Sequence, residues 1–568
     1  MVDPQNPLII QSDRTILLHT DSPLFSETRD ALSPFAELIK SPEYVHTYRI
    51  TPLSLWNAAA CGISFSDIEK VLVRFSRYPV PENLLFEIRD YLDRYGRIWL
   101  EKNETDDNEL LLKSRDELLI LELTQQPRLK DFIVGKLDTR TLRVIAGLRG
   151  HLKQVLIREG FPVEDRAGYH AGDPLEISLR RTMKNNTPFH LRYYQNDSAS
   201  SFWAGGSEHG GSGVVVLPCG AGKTVVGMAV MALVKQHTLI LVTNTAALHQ
   251  WRDELLDKTN LTAGDIGEYS GEIKEFKPVT ITTYQILTYR KNKEDDFVHM
   301  HLFNRRNWGL VIYDEVHLLP APVFRFTAEI QSMRRLGLTA TLVREDQRED
   351  DVFSLIGPKK YDVPWKILED QGWIARAECV EVRIPLPDHL RMEYALTSQR
   401  EKYRVAASNP RKINVLKKIL RVHEKENILI IGQYLSQLEM ISEELRAPLI
   451  TGKMPNRRRE QLYEAFRTGR QRILVVSKVA NFAIDLPTAG VAIQVSGTFG
   501  SRQEEAQRLG RILRPKAGGC TAWFYSLVTK DTQDQKFALN RQLFLTEQGY
   551  RYNLVDVTDL DNFLVSLS

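Results

Sequence analysis

A glycine-containing run carries the clearest chemistry in this sequence, because it stands between a short apolar segment and a long apolar one. It consists of Leu217, Pro218, Cys219, Gly220, Ala221, Gly222, Lys223 and Thr224. The two glycines allow backbone N–H groups to close around phosphate oxygens, and a following helix adds a partial positive charge at its N-terminus. In such a loop Lys223 reaches the β- and γ-phosphates of a nucleotide, and the Thr224 hydroxyl ligates Mg²⁺. The usual pattern begins with glycine, and Leu217 stands at that position here.

A second set of reactive side chains follows the apolar run 310–313. Asp314, Glu315 and His317 come directly after it, and the carboxyl ends of parallel strands are where open α/β sheets place ligands. We therefore expect Asp314 to hold a Mg²⁺ ion that bridges the phosphates, and Glu315 to orient or deprotonate the attacking water. An acidic surface turn is the alternative, but a phosphate loop and an acidic strand end in this order favour nucleotide hydrolysis.

Two arginines near the C-terminus are the third candidate group. Gln507, Arg508 and Arg511 lie on a helical run, and arginines three residues apart share one helix face. We predict that both arginines stabilise the charge that develops on the γ-phosphate, as an arginine finger does. The alternative is a solvated basic helix.

The elements that must position these groups follow an alternating strand and helix pattern. Candidate buried strands are Val214–Leu217, Leu239–Val242, Val279–Thr282, Leu310–Tyr313 and the stretch around 336–338, with helices at Thr224–Val234 and Ala246–Leu256 between them. A second cycle begins near residue 411 with a helix and continues with Ile428–Ile431, Leu449–Ile450, Ile473–Val476 and Val491–Val495. This alternation predicts two α/β domains with parallel sheets, only the first of which has a glycine–lysine loop.

Composition limits the remaining possibilities. A chain of 568 residues is long enough for three to four domains. Its apolar stretches are too short or too interrupted to span a bilayer, so we expect a cytoplasmic protein without a membrane partner. The cysteines Cys61, Cys219, Cys379 and Cys520 are scattered without a CxxC pattern, which predicts a reducing compartment and no structural zinc. The net charge of +3 does not by itself indicate a nucleic-acid partner, so any basic contacts must be local.

The ordered motifs over residues 190–515 resemble those of superfamily 2 helicases, and specifically of the XPB family of DNA repair helicases. Arg192 and Gln195 match the segment before the phosphate loop, where the resemblance implies that the glutamine contacts adenine. The two DNA-contacting motifs of the first domain are matched by Asn244 and Thr245 with Gln250 and Trp251, and by Thr283 and Tyr284. Thr339 and Thr341 match the motif that couples the γ-phosphate state to the grip on DNA.

Two details narrow the resemblance from the superfamily to the family. The acidic box reads Asp-Glu-Val-His, ending in His317, and the triplet Arg344, Glu345 and Asp346 follows the coupling motif. In XPB proteins that triplet is implicated in unwinding; a polar surface turn is the alternative. The second-domain motifs are matched by Gln433, Ser477, Lys478 and Asp485, and residues 482–484 depart from the glycine that many relatives carry there.

The resemblance extends to nearly the whole chain and implies an α/β fold with two tandem RecA-like parallel-sheet motor domains after small α+β N-terminal modules. The predicted divisions are an XPB-like α+β module over 1–105, a damage-recognition-like domain over 106–184, an ATP-binding RecA-like domain over 185–368 and a second RecA-like domain over 369–568. In the first module, 9–18 is hairpin-like and Ser66 to Glu69 forms a capping box that opens a helix. This module either binds DNA or docks a protein.

The resemblance implies an ATP- and Mg²⁺-dependent DNA helicase or translocase that moves 3′ to 5′ on single-stranded, tailed or forked DNA and acts in repair. One alternative is a duplex translocase with little strand separation. Another is an ATP-gated scaffold that loads on damaged DNA and recruits a repair nuclease. The Arg-Glu-Asp triplet and the N-terminal match favour DNA over RNA as the substrate.

Overall fold

The computed structural model describes most of the chain. The described residues are 3–32, 34–40, 45–60, 62–169, 171–207, 210–290, 298–299, 302–303, 305–319, 323, 327, 333–340, 349–363, 365–477, 489–497, 508–509, 521–547, 550 and 552–566.

The first module contains a small sheet with four helices. Its strands are β1 (Leu8–Ile10), β2 (Thr15–His19), β3 (Glu37–Lys40) and β4 (Val45–Arg49), and its helices are α1 (Phe25–Leu32), α2 (Pro52–Ala60), α3 (Phe65–Phe75) and α4 (Glu82–Arg94). The strand order is β1-β2-β4-β3, and the first two strands form the expected antiparallel hairpin. The predicted capping box at Ser66 is wrong by two residues. Helix α3 is capped by Ser64, whose hydroxyl accepts from the Asp67 amide while the Asp67 carboxylate accepts from the Ser64 amide.

A second sheet of five strands follows. It contains β5 (Ile98–Lys102), β6 (Glu109–Ser114), β7 (Ile133–Asp138), β8 (Thr141–Ile145) and β9 (Glu164–Asp165), with helices α5 (Glu117–Gln125) and α6 (Arg149–Arg158). The order is β7-β8-β6-β5-β9, antiparallel except for the β5–β9 pair. The predicted division at residue 105 falls between β5 and β6, although these two strands pair along their whole length. Strand β5 therefore belongs to the second sheet rather than to the first module.

The first large sheet has seven parallel strands. They are β10 (Ser212–Val216), β11 (Thr238–Val242), β12 (Ile266–Tyr269), β13 (Val279–Thr283), β14 (Leu310–Asp314), β15 (Arg334–Thr339) and β16 (Lys359–Asp362). The associated helices are α7 (Tyr193–Trp203), α8 (Lys223–Val234), α9 (Thr245–Lys258), α10 (Tyr284–Leu287) and α11 (Glu349–Leu355). The order is β12-β13-β11-β14-β15-β10-β16, and every pairing is parallel. The five strands predicted in this region are confirmed, and β12 and β16 are additional.

The second large sheet also has seven parallel strands. They are β17 (Ala377–Ile384), β18 (Asn427–Gly432), β19 (Leu449–Ile450), β20 (Ile473–Ser477), β21 (Ala489–Gln494), β22 (Ala522–Thr529) and β23 (Tyr552–Asp556). Its helices are α12 (Trp365–Asp370), α13 (Asp388–Leu396), α14 (Gln399–Ala407), α15 (Arg411–Val422), α16 (Leu435–Leu445), α17 (Asn456–Arg467), α18 (Gln533–Glu547) and α19 (Leu560–Val565). The order is β19-β20-β18-β21-β22-β17-β23, again parallel throughout. Counted from its own first strand, each large sheet therefore has the same order, 3-4-2-5-6-1-7.

The central strands of both large sheets are buried on both faces, which explains their continuous apolar runs. Every residue of β11 is buried, and so is every residue of β21. Each sheet packs its own apolar core, built around Val311 and Tyr313 in the first and around Ile430 and Ile493 in the second. This rigid packing fixes the strand ends, from which the candidate site residues project.

Candidate active site

The phosphate-loop sequence forms a tight connection between β10 and α8. Gly220 and Gly222 have φ angles of 81° and 84°, which lie in the left-handed region that favours glycine. Gly222 is the residue before the helix, and Lys223 and Thr224 occupy its first turn. The loop therefore presents a helix N-terminus with two permissive glycines, as expected for a phosphate cradle.

Gln195 lies directly against this loop. A Cβ atom at Gly222 would stand only 2.6 Å from Gln195 Nε2, so the close approach requires glycine. The Gln195 side chain is buried, and its Oε1 accepts a hydrogen bond from the Arg192 backbone amide at 3.0 Å. The Arg192 guanidinium in turn donates to the Tyr194 hydroxyl at 2.8 Å. The predicted Arg192–Gln195 segment is thus assembled next to the loop by the first turn of α7.

The acidic box lies at the same edge of the sheet as the loop. Strand β15 is between β10 and β14, and all three run parallel, so their carboxyl ends lie side by side. Asp314 ends β14, and the Lys223 Nζ lies 3.2 Å from Glu315 Oε1. Glu315 has a φ of 51°, a left-handed conformation that is strained for a residue with a side chain. The structure therefore joins the loop and the box through an ion pair.

The two neighbouring carboxyl groups are driven apart in acidity. Burial raises the pKa of Asp314 to about 6, with a further contribution from the adjacent Glu315 charge. Burial also acts to raise the pKa of Glu315, but the charges of Lys223 and His317 outweigh it and hold that pKa below its ordinary value. Glu315 therefore loses its proton at a lower pH than Asp314, and its Oε2 is buried without a hydrogen-bond partner among the described residues.

His317 and Thr339 connect the box to the strand between it and the loop. His317 is buried, and its Nδ1 lies 2.7 Å from the Thr339 hydroxyl and 3.5 Å from Glu315 Oε2. The Thr339 carbonyl accepts from the Leu217 amide at 2.9 Å. Thr339 therefore contacts both the first residue of the phosphate loop and the last residue of the Asp-Glu-Val-His box.

Two aromatic residues contact Asp314 in a way that the sequence reasoning missed. The Trp251 indole N–H donates to Asp314 Oδ2 at 2.9 Å, and the Tyr284 hydroxyl donates to the Asp314 backbone carbonyl at 2.9 Å. Both side chains are buried. The spacing of Leu248, Trp251 and Leu255 places all three on one apolar helix face, and this signal could have shown that Trp251 points inward.

The remaining DNA-motif residues of the first sheet cap helices. Asn244 Oδ1 accepts from the Ala247 amide at 3.0 Å at the start of α9, where Thr245 is the first helical residue. The Thr283 hydroxyl accepts from the Ile286 amide at 3.4 Å at the start of α10. Because β11 and β13 pair in parallel, these two caps lie at adjacent strand ends on the edge that carries the loop.

In the second large sheet, Gln433 directly follows β18, and Ser477 is the last residue of the neighbouring strand β20. The Gln433 backbone amide donates to the Ser496 hydroxyl at 2.8 Å, whereas Gln433 Oε1 and the Ser477 hydroxyl are buried without a partner among the described residues.

The position of Arg508 corrects the expectation that it acts as an arginine finger. Its side chain is fully buried and donates to Gln494 Oε1 of β21, so it is held inside its own sheet instead of pointing outward.

Several predicted residues lie outside the described residues. These are Thr341, Arg344, Glu345, Asp346, Lys478, Asp485, Gln507 and Arg511.

Comparison with known proteins places the chain in a family. Residues 368–563 match the family described as ERCC3/RAD25/XPB C-terminal helicase, 8–138 match "Helicase conserved C-terminal domain", and 188–344 match "Type III restriction enzyme, res subunit". The DNA 3′-5′ helicase XPB of Mycobacterium tuberculosis is 54% identical over 554 residues, which cover 98% of each chain. The chain belongs to the XPB helicase family.

Other members of the family are similar over nearly the whole chain. The DNA 3′-5′ helicase XPB of Kineococcus radiotolerans is 52% identical, covering 98% of this chain and 97% of its own. The transcription and DNA repair factor IIH helicase/translocase subunit XPB/SSL2 of Saccharomyces cerevisiae is 31% identical and covers 96% of this chain and 72% of its own. The resemblance inferred from the motifs is confirmed, as is the fold of two tandem RecA-like α/β domains after small N-terminal modules.

As a member of the XPB family, this chain is a helicase, and helicases are enzymes that hydrolyse ATP. Within the described ranges, no helix is both long and apolar enough to cross a membrane. The same part of the chain contains no group of three or more His, Cys, Asp or Glu side chains arranged to hold a metal ion. Cys219 and Cys379 form no disulfide within the described residues, and Cys61 and Cys520 lie outside them.

Proposed function

We propose that this chain is an ATP-dependent DNA helicase or translocase that moves 3′ to 5′ and acts in DNA repair in the cytoplasm. The observation that carries the proposal is the ion pair between Lys223 and Glu315, 3.2 Å long, which brings the phosphate loop and the acidic box together at one sheet edge. The two bacterial relatives are DNA 3′-5′ helicases and match this chain along almost their entire length, which supports the substrate and the direction.

The residues present fit a nucleotide with Mg²⁺. The left-handed glycines, and the absence of a side chain at Gly222, leave room for phosphate oxygens at the N-terminus of α8. The loop residues 217–223 would surround the phosphates, with backbone N–H groups such as those of Gly220 and Gly222 as donors, and Gln195 with Arg192 would lie at the adenine. Thr224 and Asp314 would hold Mg²⁺, which supplies charge neutralisation on the phosphate oxygens when it is bound. Asp485 is proposed as a further nucleotide contact from the second domain.

Glu315 is proposed as the residue that orients or deprotonates the attacking water. It is ionised, and its Oε2 has no hydrogen-bond partner among the described residues, so this oxygen can accept a proton. Lys223 holds the other carboxylate oxygen in the structure and is expected to exchange Glu315 for a phosphate when nucleotide binds. The ion pair thus holds the Lys223 and Glu315 side chains close to the positions that we expect them to occupy during hydrolysis.

The arginine finger is assigned to Arg511, and Gln507 is proposed as a further catalytic residue of the same motif, because the contact with Gln494 holds Arg508 inside the second sheet. A positive charge at the γ-phosphate stabilises the transition state of phosphoryl transfer.

DNA contacts are proposed at the helix caps Asn244, Thr245 and Thr283 of the first sheet. In the second sheet we propose Gln433, Ser477 and Lys478, and the Ser477 hydroxyl, which has no hydrogen-bond partner among the described residues, is the supporting observation. Hydroxyls, amides and backbone N–H groups suit phosphate contacts, which position a protein on DNA without reading its sequence. Coupling to hydrolysis is assigned to His317, Thr339 and Thr341, and unwinding to the triplet Arg344, Glu345 and Asp346.

A duplex translocase with little unwinding is the second candidate, and the helicase/translocase name of the yeast relative favours it. The ATP-gated scaffold that recruits a repair nuclease stays a prediction from sequence.

The decisive experiment measures the ATPase rate without nucleic acid and with single-stranded DNA, duplex DNA or single-stranded RNA, each at two salt concentrations. We expect stimulation by DNA that weakens with salt, because phosphate contacts release counterions. Unwinding of a 3′-tailed duplex then separates the helicase from the translocase. Stimulation by RNA alone, or no stimulation, would contradict the DNA assignment.

A further inference from the structure

Asp314 receives hydrogen bonds from both DNA-contacting motifs of the first sheet. Trp251 lies on α9, whose first turn contains Asn244 and Thr245, and its indole N–H reaches the Asp314 carboxylate at 2.9 Å. Tyr284 directly follows the cap Thr283, and its hydroxyl reaches the Asp314 backbone carbonyl at 2.9 Å. One motif therefore holds the side chain of the proposed Mg²⁺ ligand, and the other holds its main chain.

The position of the Trp251 ring is fixed by its surroundings. The side chain is 1% exposed, and a Cβ on Gly227 of α8 would lie 2.5 Å from Trp251 Cη2. Helix α8 begins with Lys223, so the indole packs against the helix that carries the phosphate-loop lysine, one turn further along. A ring enclosed in this way cannot turn aside without moving α8, α9 or Asp314, because protein interiors are close-packed.

The path from the DNA motif to the metal ligand is short and rigid. Trp251 stands six residues after Thr245 on the same helix, which is about 9 Å at 1.5 Å per residue. Tyr284 is adjacent to Thr283 in sequence, and its ring is 4% exposed. A displacement of either helix start is therefore transmitted to Asp314 through one buried hydrogen bond, from the side of β14 that faces away from the Thr339 strand.

We propose that Trp251 and Tyr284 are positioning residues that couple DNA contact to Asp314. The indole fixes the carboxylate rotamer by occupying Oδ2 and leaves Oδ1 for the cation, and the phenol fixes the peptide that precedes Glu315. When DNA contacts the caps of α9 and α10, these two hydrogen bonds set Asp314 in its metal-binding geometry. This inference rests on the proposed function, since it assigns regulation to the same site.

The test uses Trp251→Phe and Tyr284→Phe in the full chain, because each removes one hydrogen-bond donor and keeps most of the ring. The matched control is Trp308→Phe, which removes an equally buried indole N–H that donates to the Leu302 carbonyl at 3.0 Å, away from Asp314. ATPase rates are measured with and without DNA over a series of Mg²⁺ concentrations, and DNA affinity is measured separately.

We expect Trp251→Phe to raise the Mg²⁺ concentration for half-maximal activity and to reduce the DNA-stimulated rate, each about 10- to 100-fold, the usual effect of losing a partner of a metal ligand. Tyr284→Phe is expected to lower the stimulated rate by a smaller factor, since it acts on the main chain. DNA affinity and the response of Trp308→Phe should stay close to wild type.

Three results would overturn the inference. Equal losses of basal and stimulated rate with an unchanged Mg²⁺ requirement would indicate that Trp251 only supports the fold. A loss of DNA affinity that accounts for the whole defect would make Trp251 or Tyr284 a direct DNA contact. A defect of the same size in Trp308→Phe would show a general packing effect. If wild-type protein hydrolyses ATP without any DNA stimulation, the proposed function fails first, and this result is seen before any variant is compared.

Discussion

The two large sheets have one topology and two different chemical edges. In the first sheet, β10 is followed by a loop with two left-handed glycines, and the neighbouring box leaves Glu315 Oε2 without a hydrogen-bond partner among the described residues. In the second sheet, the corresponding strand β17 is followed by Pro385, Leu386 and Pro387. Proline has no backbone N–H, so this connection cannot supply the amide cradle that a phosphate needs.

At the second edge, the buried charged groups Lys412 and Asp534 form an ion pair. Lys412 Nζ donates to Asp534 Oδ2 at 2.7 Å and to the Val495 carbonyl at 2.8 Å, and Asp534 Oδ2 also accepts from the Thr529 amide at 3.0 Å. The side chains of Lys412 and Asp534 are each 1% exposed. By contrast, Lys223 and Glu315 are partly exposed, at 11% and 21%. Strand order therefore fixes where a site can form, whereas the exposure of the charged side chains decides whether a ligand can reach it.

The largest expected effect comes from substituting Lys223, the lysine of the first edge. Lys223→Ala should reduce ATPase activity to background while the protein keeps its melting temperature, because the lysine contacts phosphate and is not needed for packing. Steady-state ATPase assays and thermal melts check this. Substantial turnover in the Lys223 variant would show that the loop is not part of the ATP site. The proposed chemical difference between the two sheet edges would then be contradicted.

The next test separates the two arginines. Arg511→Ala should slow hydrolysis by a factor on the order of 10³–10⁵ with little loss of ATP affinity, as expected for a finger. Arg508→Ala should instead lower the melting temperature, because it leaves Gln494 buried without its donor. Single-turnover hydrolysis, nucleotide binding and thermal melts distinguish the two outcomes. A mild hydrolysis defect in the Arg511 variant would argue for a structural arginine.

Glu315→Gln tests whether the Glu315 carboxylate orients or deprotonates the attacking water. We expect ATP to remain bound and hydrolysis to slow by roughly 10²–10⁴, the range for loss of a general base. Retention of labelled ATP after gel filtration measures the trapped state. Wild-type turnover in this variant would exclude Glu315 from the catalytic role.

The smallest effects concern the edge of the second sheet that contains the buried Lys412–Asp534 pair. Lys412→Met should lower the free energy of unfolding by about 3–5 kcal/mol, because it leaves the buried Asp534 carboxylate with only the Arg541 guanidinium, 3.8 Å from its Oδ1, as a cationic neighbour. The double variant Lys412→Met with Asp534→Leu should recover part of this loss, since it removes both charges of the pair but leaves Arg541 buried without the Asp534 carboxylate. Chemical denaturation measures both, and no ATP-binding defect beyond unfolding is expected in the double variant.

The same pair predicts a pH dependence. Burial lowers the pKa of Lys412 from its ordinary value of 10.5, although the Asp534 charge opposes the shift. Between the lowered pKa and 10.5 the unfolded chain holds a proton that the folded chain has released, so the free energy of unfolding contributed by this group rises with pH. The difference between wild type and Lys412→Met should follow this rise, and a difference that is flat with pH would contradict it.

The sequence was sufficient for the parts of the fold that rest on local pattern. Apolar runs such as 239–242 and 428–431 predicted central strands within one or two residues, because strands buried on both faces must be continuously apolar. Strand β17 was missed, because Glu378, Glu381 and Arg383 interrupt its apolar pattern. The structure explains the buried Glu381, which accepts from Gln542 Nε2 and Arg383 Nε.

The reactive groups of this protein and the strand ends that carry them can be read from its motifs, since residue type and spacing are properties of a short stretch of chain. Which of these groups meet depends on the folded chain. It placed Trp251 and Tyr284 on Asp314, from stretches 63 and 30 residues away, and it turned Arg508 inward onto Gln494. Such contacts depend on strand order and on the packing of helices across the sheet, and neither is encoded in any single motif.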